Sequence, residues 1–389
     1  MKGVSSLKHT CQGESHKTTN KPCQDFSQAE SKDAFAVAIV SDGHGGVHYF
    51  RSDKGSELAV RCAKKAIAKF VKETSNTQLF KGKALTQIGV NPDKSDDKAY
   101  ASLSWLVSSI IRQWNSEILK DAQTHRITEW EQQHVEQKYL DEFTNSLSSD
   151  DGKLEKIYGC TLMAFVMTND YWFAFQIGDG KMVFFNHGDH GMEDNQYIPW
   201  DDKCFLNKTT SICDSDAASE FRFAYCGDGS FPEAVFLGSD GIDDTYGDGE
   251  KLTDFYIRLY KEIATSSRTQ VENTLKLDLP VISKLGSQDD MSVACIYFNN
   301  KERVKQNALL MSQLQLAKFH QESNELEAKK STLREKIERL KDSRELLEKQ
   351  RIELTYAEND LRRVEESLEK IAGNVQTILA FDRDLNNQN

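Results

Sequence analysis

The chain has 389 residues, 38% of them hydrophobic, with 20 Phe and 5 Trp, enough to bury a sizeable core. From Lys301 onward 17 basic residues match 17 acidic ones, so the whole net charge of −12 sits in the first 300 residues. Such an acidic body argues against nucleic acid and anionic membrane surfaces as partners, and no apolar run reaches bilayer-spanning length. The eight cysteines have no Cys-x-x-Cys spacing and mostly sit beside apolar residues, which fits buried thiols in a reducing compartment better than disulfides or zinc. With no apolar signal region at the N-terminus, the chain is expected to be soluble and cytoplasmic.

The first 30 residues are polar and contain Ser15-His16-Lys17 and Pro22-Cys23-Gln24-Asp25-Phe26. Residues 34–40 form a short run rich in β-branched and aromatic side chains, which predicts a buried strand. That run stops abruptly at Ser41-Asp42-Gly43-His44-Gly45-Gly46. The glycines let the backbone turn sharply and come close to a ligand, and a carboxylate and an imidazole at such a turn suit metal or proton chemistry. A plain turn with an incidental histidine is the competing reading of this motif taken alone.

Leu58, Cys62, Ala66 and Phe70 share a stripe and predict a helix over 57–71. Residues 74–99 are polar, with Gly82, Gly89 and Pro92, and predict a loop. A second amphipathic helix carries Leu103, Leu106, Val107, Ile110, Ile111, Trp114 and Ile118. A charged stretch over 121–156 has weaker periodicity and is expected to be helical in part.

A β-rich block follows. Runs 161–166 and 171–177 flank the turn signal Thr168-Asn169-Asp170 and predict a hairpin. Further strands are expected at 181–185, 221–225 and 234–237, with 186–202 irregular. The strand at 234–237 leads into Gly238-Ser239-Asp240-Gly241-Ile242-Asp243-Asp244. Helices over 252–265 and 268–279 precede Ser287-Gln288-Asp289-Asp290-Met291 and a last strand over 292–298.

Past Phe298 the composition changes. No proline occurs beyond Pro280, and no glycine lies between Gly286 and Gly373. Leu326, Leu333, Leu340, Leu347, Leu354, Leu361, Leu368 and Val375 repeat every seven residues, half of a heptad seam. The other half shifts: Ile337 lies four after its leucine, whereas Val364, Ile371 and Ile378 lie three after theirs. One helix of about 75 residues would be roughly 110 Å long. A lone charged helix or a hairpin folded near Lys341-Asp342-Ser343 is the alternative, but so long a leucine stripe should bury itself in a coiled coil. The chain is therefore divided into a body, residues 1–298, and a helical coiled-coil region, residues 299–389.

Four acidic positions share a context. Asp42 and Asp240 each end a strand and precede a glycine, while Asp25 and Asp289 precede strands. Strand ends can bring such residues together. Clustered carboxylates without Cys or His partners suit Mg²⁺ or Mn²⁺, and two such ions can activate a water and hold a phosphate oxygen. His44, beside Asp42, can protonate a leaving oxygen.

These segments, with Gly159-Cys160-Thr161 and Gly178-Asp179-Gly180, resemble in order and spacing the metal-dependent PP2C (PPM) Ser/Thr protein phosphatases over about residues 1–298. The Ser-His and Pro-Cys-Gln-Asp opening is similar to a bacterial branch of that family. The resemblance implies an α+β fold, an α-β-β-α sandwich of two antiparallel sheets flanked by helices, here followed by the long C-terminal coiled-coil helix. It implies a binuclear Mg²⁺ or Mn²⁺ centre bridged by Asp42, with the Gly43 carbonyl on one ion, Asp240 and Asp289 on the first and Asp25 supporting the second. His44 would be the general acid, Asp244 matches a position tied to an additional metal, and Asp179 matches a structural one. The implied activity is hydrolysis of phosphoserine and phosphothreonine by metal-activated water, with phosphoproteins as substrates and a Ser/Thr kinase as the counter-acting partner.

Three departures stand out. Gln24 replaces the glutamate of many members, which weakens that metal site or leaves it to waters. Asn20 occupies the position of the phosphate-binding arginine of many eukaryotic members, with His16, Lys17 or Lys21 as substitutes. Lys156 takes the place of an acidic ligand of a third metal, with Glu155 as a stand-in, so two ions are expected rather than three. They motivate an alternative, a pseudophosphatase scaffold working through its coiled coil, which would mediate self-association or partner docking in either case. A metal-dependent nuclease fits the carboxylates but not the acidic body.

Overall fold

The computed structural model describes residues 1, 3–90, 92, 97–147, 153–189, 191–205, 208–247, 249–342 and 348–386. The first half of the chain forms β1 (Val4–Cys11), α1 (Glu14–Thr18), β2 (Phe26–Ser31), β3 (Phe35–Ser41), α2 (Ser52–Thr74), β4 (Thr86–Ile88), α3 (Lys98–Thr124), α4 (Glu129–His134), α5 (Gln137–Ser146) and α6 (Lys153–Ile157). The second half forms β5 (Leu162–Thr168), β6 (Trp172–Ile177), β7 (Lys181–Gly188), β8 (Gly191–Asn195), α7 (Ala217–Glu220), β9 (Arg222–Cys226), β10 (Ala234–Gly238), α8 (Asp240–Tyr246), α9 (Glu250–Thr265), α10 (Arg268–Leu285), β11 (Met291–Phe298), α11 (Lys301–Asp342) and α12 (Glu348–Asn386).

The strands make two sheets, ordered β1-β11-β10-β7-β8 and β2-β3-β5-β6-β9-β4. Every pairing with a defined register is antiparallel. Strand β3 explains the layering. Its side chains alternate between faces, yet all seven residues are buried. Ala36, Ala38 and Val40 meet Phe184, Val235, Leu237 and Ile296 between the sheets. Phe35, Val37 and Ile39 join the cluster that includes Ala63 and Ile67 of α2 and Val107 and Ile110 of α3. On the other sheet, Phe236 of β10 stacks on Tyr256 of α9 with ring centroids 5.1 Å apart. The result is the α-β-β-α sandwich that the family resemblance implies.

Strands β1, β2, β4 and β8 fall in stretches that read as polar or irregular. Each of them is an edge strand, so its outer groups face water and its apolar alternation is diluted. Helix α10 runs through Pro280 to Leu285 instead of stopping before the proline.

Chain contacts divide the molecule into two compact units, residues 1–187 with 194–304, and residues 188–193 with 305–389. Within the second unit there are two long helices, α11 ending at Asp342, which matches the hairpin alternative rather than one continuous helix. Lys336 pairs with Glu353 at 2.8 Å and Arg334 with Glu365 at 3.1 Å, so α11 and α12 run antiparallel. Along α12 the most buried positions are Ala357, Val364, Ile371, Ile378 and Leu385, a seven-residue repeat three residues after the leucine stripe. Lys341 and Asp342 close α11, while Ser343 and Leu347 lie outside the described residues. All eight cysteines are free thiols. Among the described residues no helix is long and apolar enough to cross a membrane.

Candidate metal centre

The site is built on the end of β3. Past Ser41 the backbone leaves the sheet and is pinned by two neighbouring segments. Thr161 donates its N–H to Asp42 O at 2.7 Å, and Asp42 N–H donates to Thr161 Oγ1 at 3.0 Å. Gly43 N–H donates to Gln24 O at 3.0 Å and His44 N–H to Gly159 O at 3.1 Å. A Cβ on Gly43 would lie 2.6 Å from Ser52 O and 2.7 Å from Gln24 O, so no larger residue fits this turn.

The other carboxylates arrive from strand and helix ends. Asp25 directly precedes β2, Asp240 opens α8 just after β10, and Asp289 and Asp290 precede β11. Ser239 fastens three of these segments together: its hydroxyl donates to Asp25 Oδ2 at 2.6 Å and accepts the N–H of Ser292 at 2.9 Å. The carboxyls of Asp42 and Asp240 are within hydrogen-bonding contact of each other. Asp25 feels the charges of Asp290, Asp240 and Asp289, and Asp244 that of Asp289. Their charges thus act on one another across Asp25, Asp42, Asp240, Asp244 and Asp289, of which Asp244 and Asp289 are exposed.

Electrostatics make this rim costly without a cation. Burial first, then the neighbouring acids, pushes Asp25 and Asp42 well above the ordinary carboxylate range. The same causes raise Asp240 to about 7, and burial with Asp289 raises Asp244. Oδ1 of Asp25 and Oδ1 of Asp240 are buried with no hydrogen-bond partner among the described residues. Buried carboxylate oxygens need protons, donors or a metal. An all-oxygen set with orphaned acceptors fits a hard divalent cation, so the residues present suit Mg²⁺ or Mn²⁺.

His44 sits beside this cluster. Its Nε2 lies 2.7 Å from Ser211 Oγ, and that hydroxyl donates to Cys160 O at 3.0 Å. Since the hydroxyl has one proton, Nε2 is the donor to Ser211 and Nδ1 is left as an acceptor. Burial lowers the imidazole pKa to about 4, so the ring is neutral at pH 7 in this arrangement.

The sequence profile of protein phosphatase 2C matches residues 12–276. This chain belongs to the protein phosphatase 2C family. Among solved structures similar to this phosphatase 2C chain, PppA, a key regulatory component of T6SS in Pseudomonas aeruginosa, is 14% identical, with 76% of this chain and 97% of that chain covered and a TM-score of 0.42. The Mycobacterium tuberculosis serine/threonine phosphatase PstP/Ppp is 12% identical, with 76% and 99% covered and a TM-score of 0.41. A C. elegans sex determining protein is 13% identical, with 78% and 67% covered and a TM-score of 0.45. No curated protein sequence matches the chain.

The departures of this phosphatase 2C chain acquire physical reasons. Gln24 is buried, and its Nε2 donates to His44 O at 3.0 Å and also to Ser52 Oγ. A glutamate could not make these bonds, so the amide holds the histidine turn, while its Oε1 has no partner among the described residues. Asp290, given no role in the sequence reading, accepts from Gly13 N at 2.6 Å and Gln24 N at 2.5 Å, and His16 Nδ1 lies 2.9 Å from its Oδ2. Burial acts to raise its pKa, but His16 and the two N–H groups outweigh burial and hold it below the ordinary range. His16, Asp289 and Asp290 each bring one ligand atom within 4.8 Å of the others. Because His16 is turned inward onto Asp290, it is not a free phosphate partner. Lys21 is better placed: its Nζ donates to Gly45 O at 2.7 Å. Burial lowers its pKa against the opposing charges of Asp289, Asp290 and Asp42. Asn20 adopts a left-handed φ of 54° and is exposed, and Lys156 is exposed on α6. Ser239 and Asp290 stand in the motif segments but have no role assigned from sequence, and Ser211 has no signal, because their partners lie far away in the chain.

Proposed function

We propose that the body of this chain hydrolyses phosphoserine and phosphothreonine monoesters in proteins at a centre for two Mg²⁺ or Mn²⁺ ions. The observation that carries this reading is the convergence of Asp25, Asp42 and Asp240 with orphaned buried oxygens and mutually raised pKa values; family membership supports the phosphatase chemistry. Asp42 is assigned to both ions, the Gly43 carbonyl and Asp25 to one, and Asp240 and Asp289 to the other. Asp244 is assigned to an additional cation. The bound ions would supply a nucleophilic water at neutral pH and neutralise phosphate charge.

The remaining steps belong to the chain itself. Asp290 and Ser239 orient the ligand-bearing segments through backbone N–H groups. Lys21 faces the phosphate dianion. His44 Nδ1 would take a proton from solvent water as the phosphate enters and donate it to the leaving serine or threonine oxygen, with Ser211 fixing the ring. The partner class is a Ser/Thr kinase whose products this site removes. The free thiols support a reducing, cytoplasmic setting. Catalysis is assigned to residues 1–298, and residues 299–389 to self-association or docking.

The test is turnover of an aryl phosphate and of a phosphothreonine peptide by the full chain with Mn²⁺. EDTA and Asp42→Asn should each abolish it. Absence of turnover with any divalent ion would instead support the scaffold reading, for which Gln24 is the motivating residue.

A further inference from the structure

A cavity of about 610 Å³ opens beside Lys21, between the segment 12–22, the start of α2 and the segment that carries α4. That volume lies in the range of ligand pockets. One wall is apolar, formed by Pro22, Phe50 and Trp130. The charges on its lining are unequally matched. Arg51 is paired to Glu131 at 2.6 Å, His125 to Asp121 at 2.7 Å and Lys54 to Asp53 at 3.4 Å. Lys17 and Lys21 have no ion-pair partner at salt-bridge distance among the described residues, although both line the cavity of an acidic protein. Trp130 Nε1 is buried and donates to no acceptor among the described residues.

Lys21 ties the cavity to the turn that carries Asp42, since it lines the cavity and its Nζ donates to Gly45 O at 2.7 Å. A phosphorylated residue seated at the rim therefore leads its neighbouring residues into the cavity. We propose that this cavity is the substrate subsite of the enzyme and that it selects phosphoproteins with acidic residues beside the phosphorylated Ser or Thr. Lys17 pairs those carboxylates while Lys21 is kept for the phosphate, and the Trp130 ring packs against the peptide. This inference rests on the phosphatase reading above.

The experiment compares two phosphothreonine peptides, one with glutamates and one with alanines beside the phosphoresidue, using the full chain with Mn²⁺. The ratio of their kcat/KM values cancels differences in folding and metal loading between variants. The wild type is expected to prefer the acidic peptide about tenfold. The preference should shrink as salt is added. Lys17→Ala should bring the ratio close to one, and Lys17→Arg should restore it. A wild-type ratio of one, or a tenfold ratio that survives Lys17→Ala, overturns the inference. An aryl phosphate, which has no flanking residues, reports separately on the phosphatase reading. Should no phosphoester turn over, fluorescence anisotropy of the same peptides on the metal-loaded chain decides the subsite, with equal affinities counting against it.

Discussion

Strand β3 and the turn that follows it differ more sharply than any two distant regions of the body. Along Phe35–Ser41 every side chain is buried and each face of the strand has an apolar partner layer. One residue later the chain enters a crowd of like charges, where Asp42 meets Asp240 and feels Asp25 and Asp289. The same strand thus anchors the core and carries a group that the metal-free fold holds at a cost. The lesson is that the sandwich supplies the stability, and the rim draws on it to keep carboxylates together that would otherwise separate.

The core side of this contrast should produce the largest stability effect. Phe165 is fully buried between the sheets, and Phe165→Ala should cost about 3–5 kcal/mol in urea unfolding. A cost below about 1 kcal/mol would mean that the two layers are loosely packed. On the rim side, Gln24→Glu removes the donor to His44 O and adds a negative charge near Asp290. It should lower kcat/KM for phosphopeptide about 10–100-fold, the range for partners that orient metal ligands. Increased activity would show that the amide is a defect rather than the support of the histidine turn.

A smaller effect separates rim from core by its sign. In the metal-free protein Asp42→Asn removes a like charge, so the thermal midpoint should rise by about 2–4 °C for each 1 kcal/mol relieved. A fall would mean that Asp42 is satisfied without a cation. The smallest effect lies away from the site. Asp97 caps α3 through Ala99 N–H at 2.7 Å and meets Lys83 and Tyr225. Burial acts to raise its pKa, but these hydrogen bonds outweigh it and hold the carboxyl below the ordinary range. A depressed folded pKa stabilises above the unfolded value and is lost as pH falls through the folded one. Asp97→Ala should therefore cost about 1 kcal/mol at pH 7, and its difference from wild type should close in acid. A gap independent of pH would deny that the charged form does the capping.

Much of this could be read from the chain because the informative features are local. An apolar run that stops at Asp42-Gly43 marks both a strand and the end that carries the candidate site, and the same holds for Asp240-Gly241. The helices α2 and α3 follow from their stripes. Strands β1 and β2 were not legible, since edge strands such as VSSLKHTC carry mixed polarity and their pairing is with distant partners. Asp290 and Ser239 were hidden for a related reason. Their importance lies in bonds to Gln24 and Asp25, more than 200 residues away. Helices α11 and α12 go the other way: a hairpin folded near Lys341-Asp342-Ser343 is the weighed alternative, and the continuous heptad repeat favours a single coiled-coil helix over it.

The central claim is that Asp25, Asp42 and Asp240 hold divalent cations. Calorimetric titration of the metal-free full chain with Mn²⁺ tests it most directly. The account predicts at least two ions bound by the wild type, with a raised thermal midpoint, and loss of tight binding in Asp42→Asn. A wild type that takes up no Mn²⁺ or Mg²⁺, or an Asp42→Asn variant that binds as the wild type does, would contradict it.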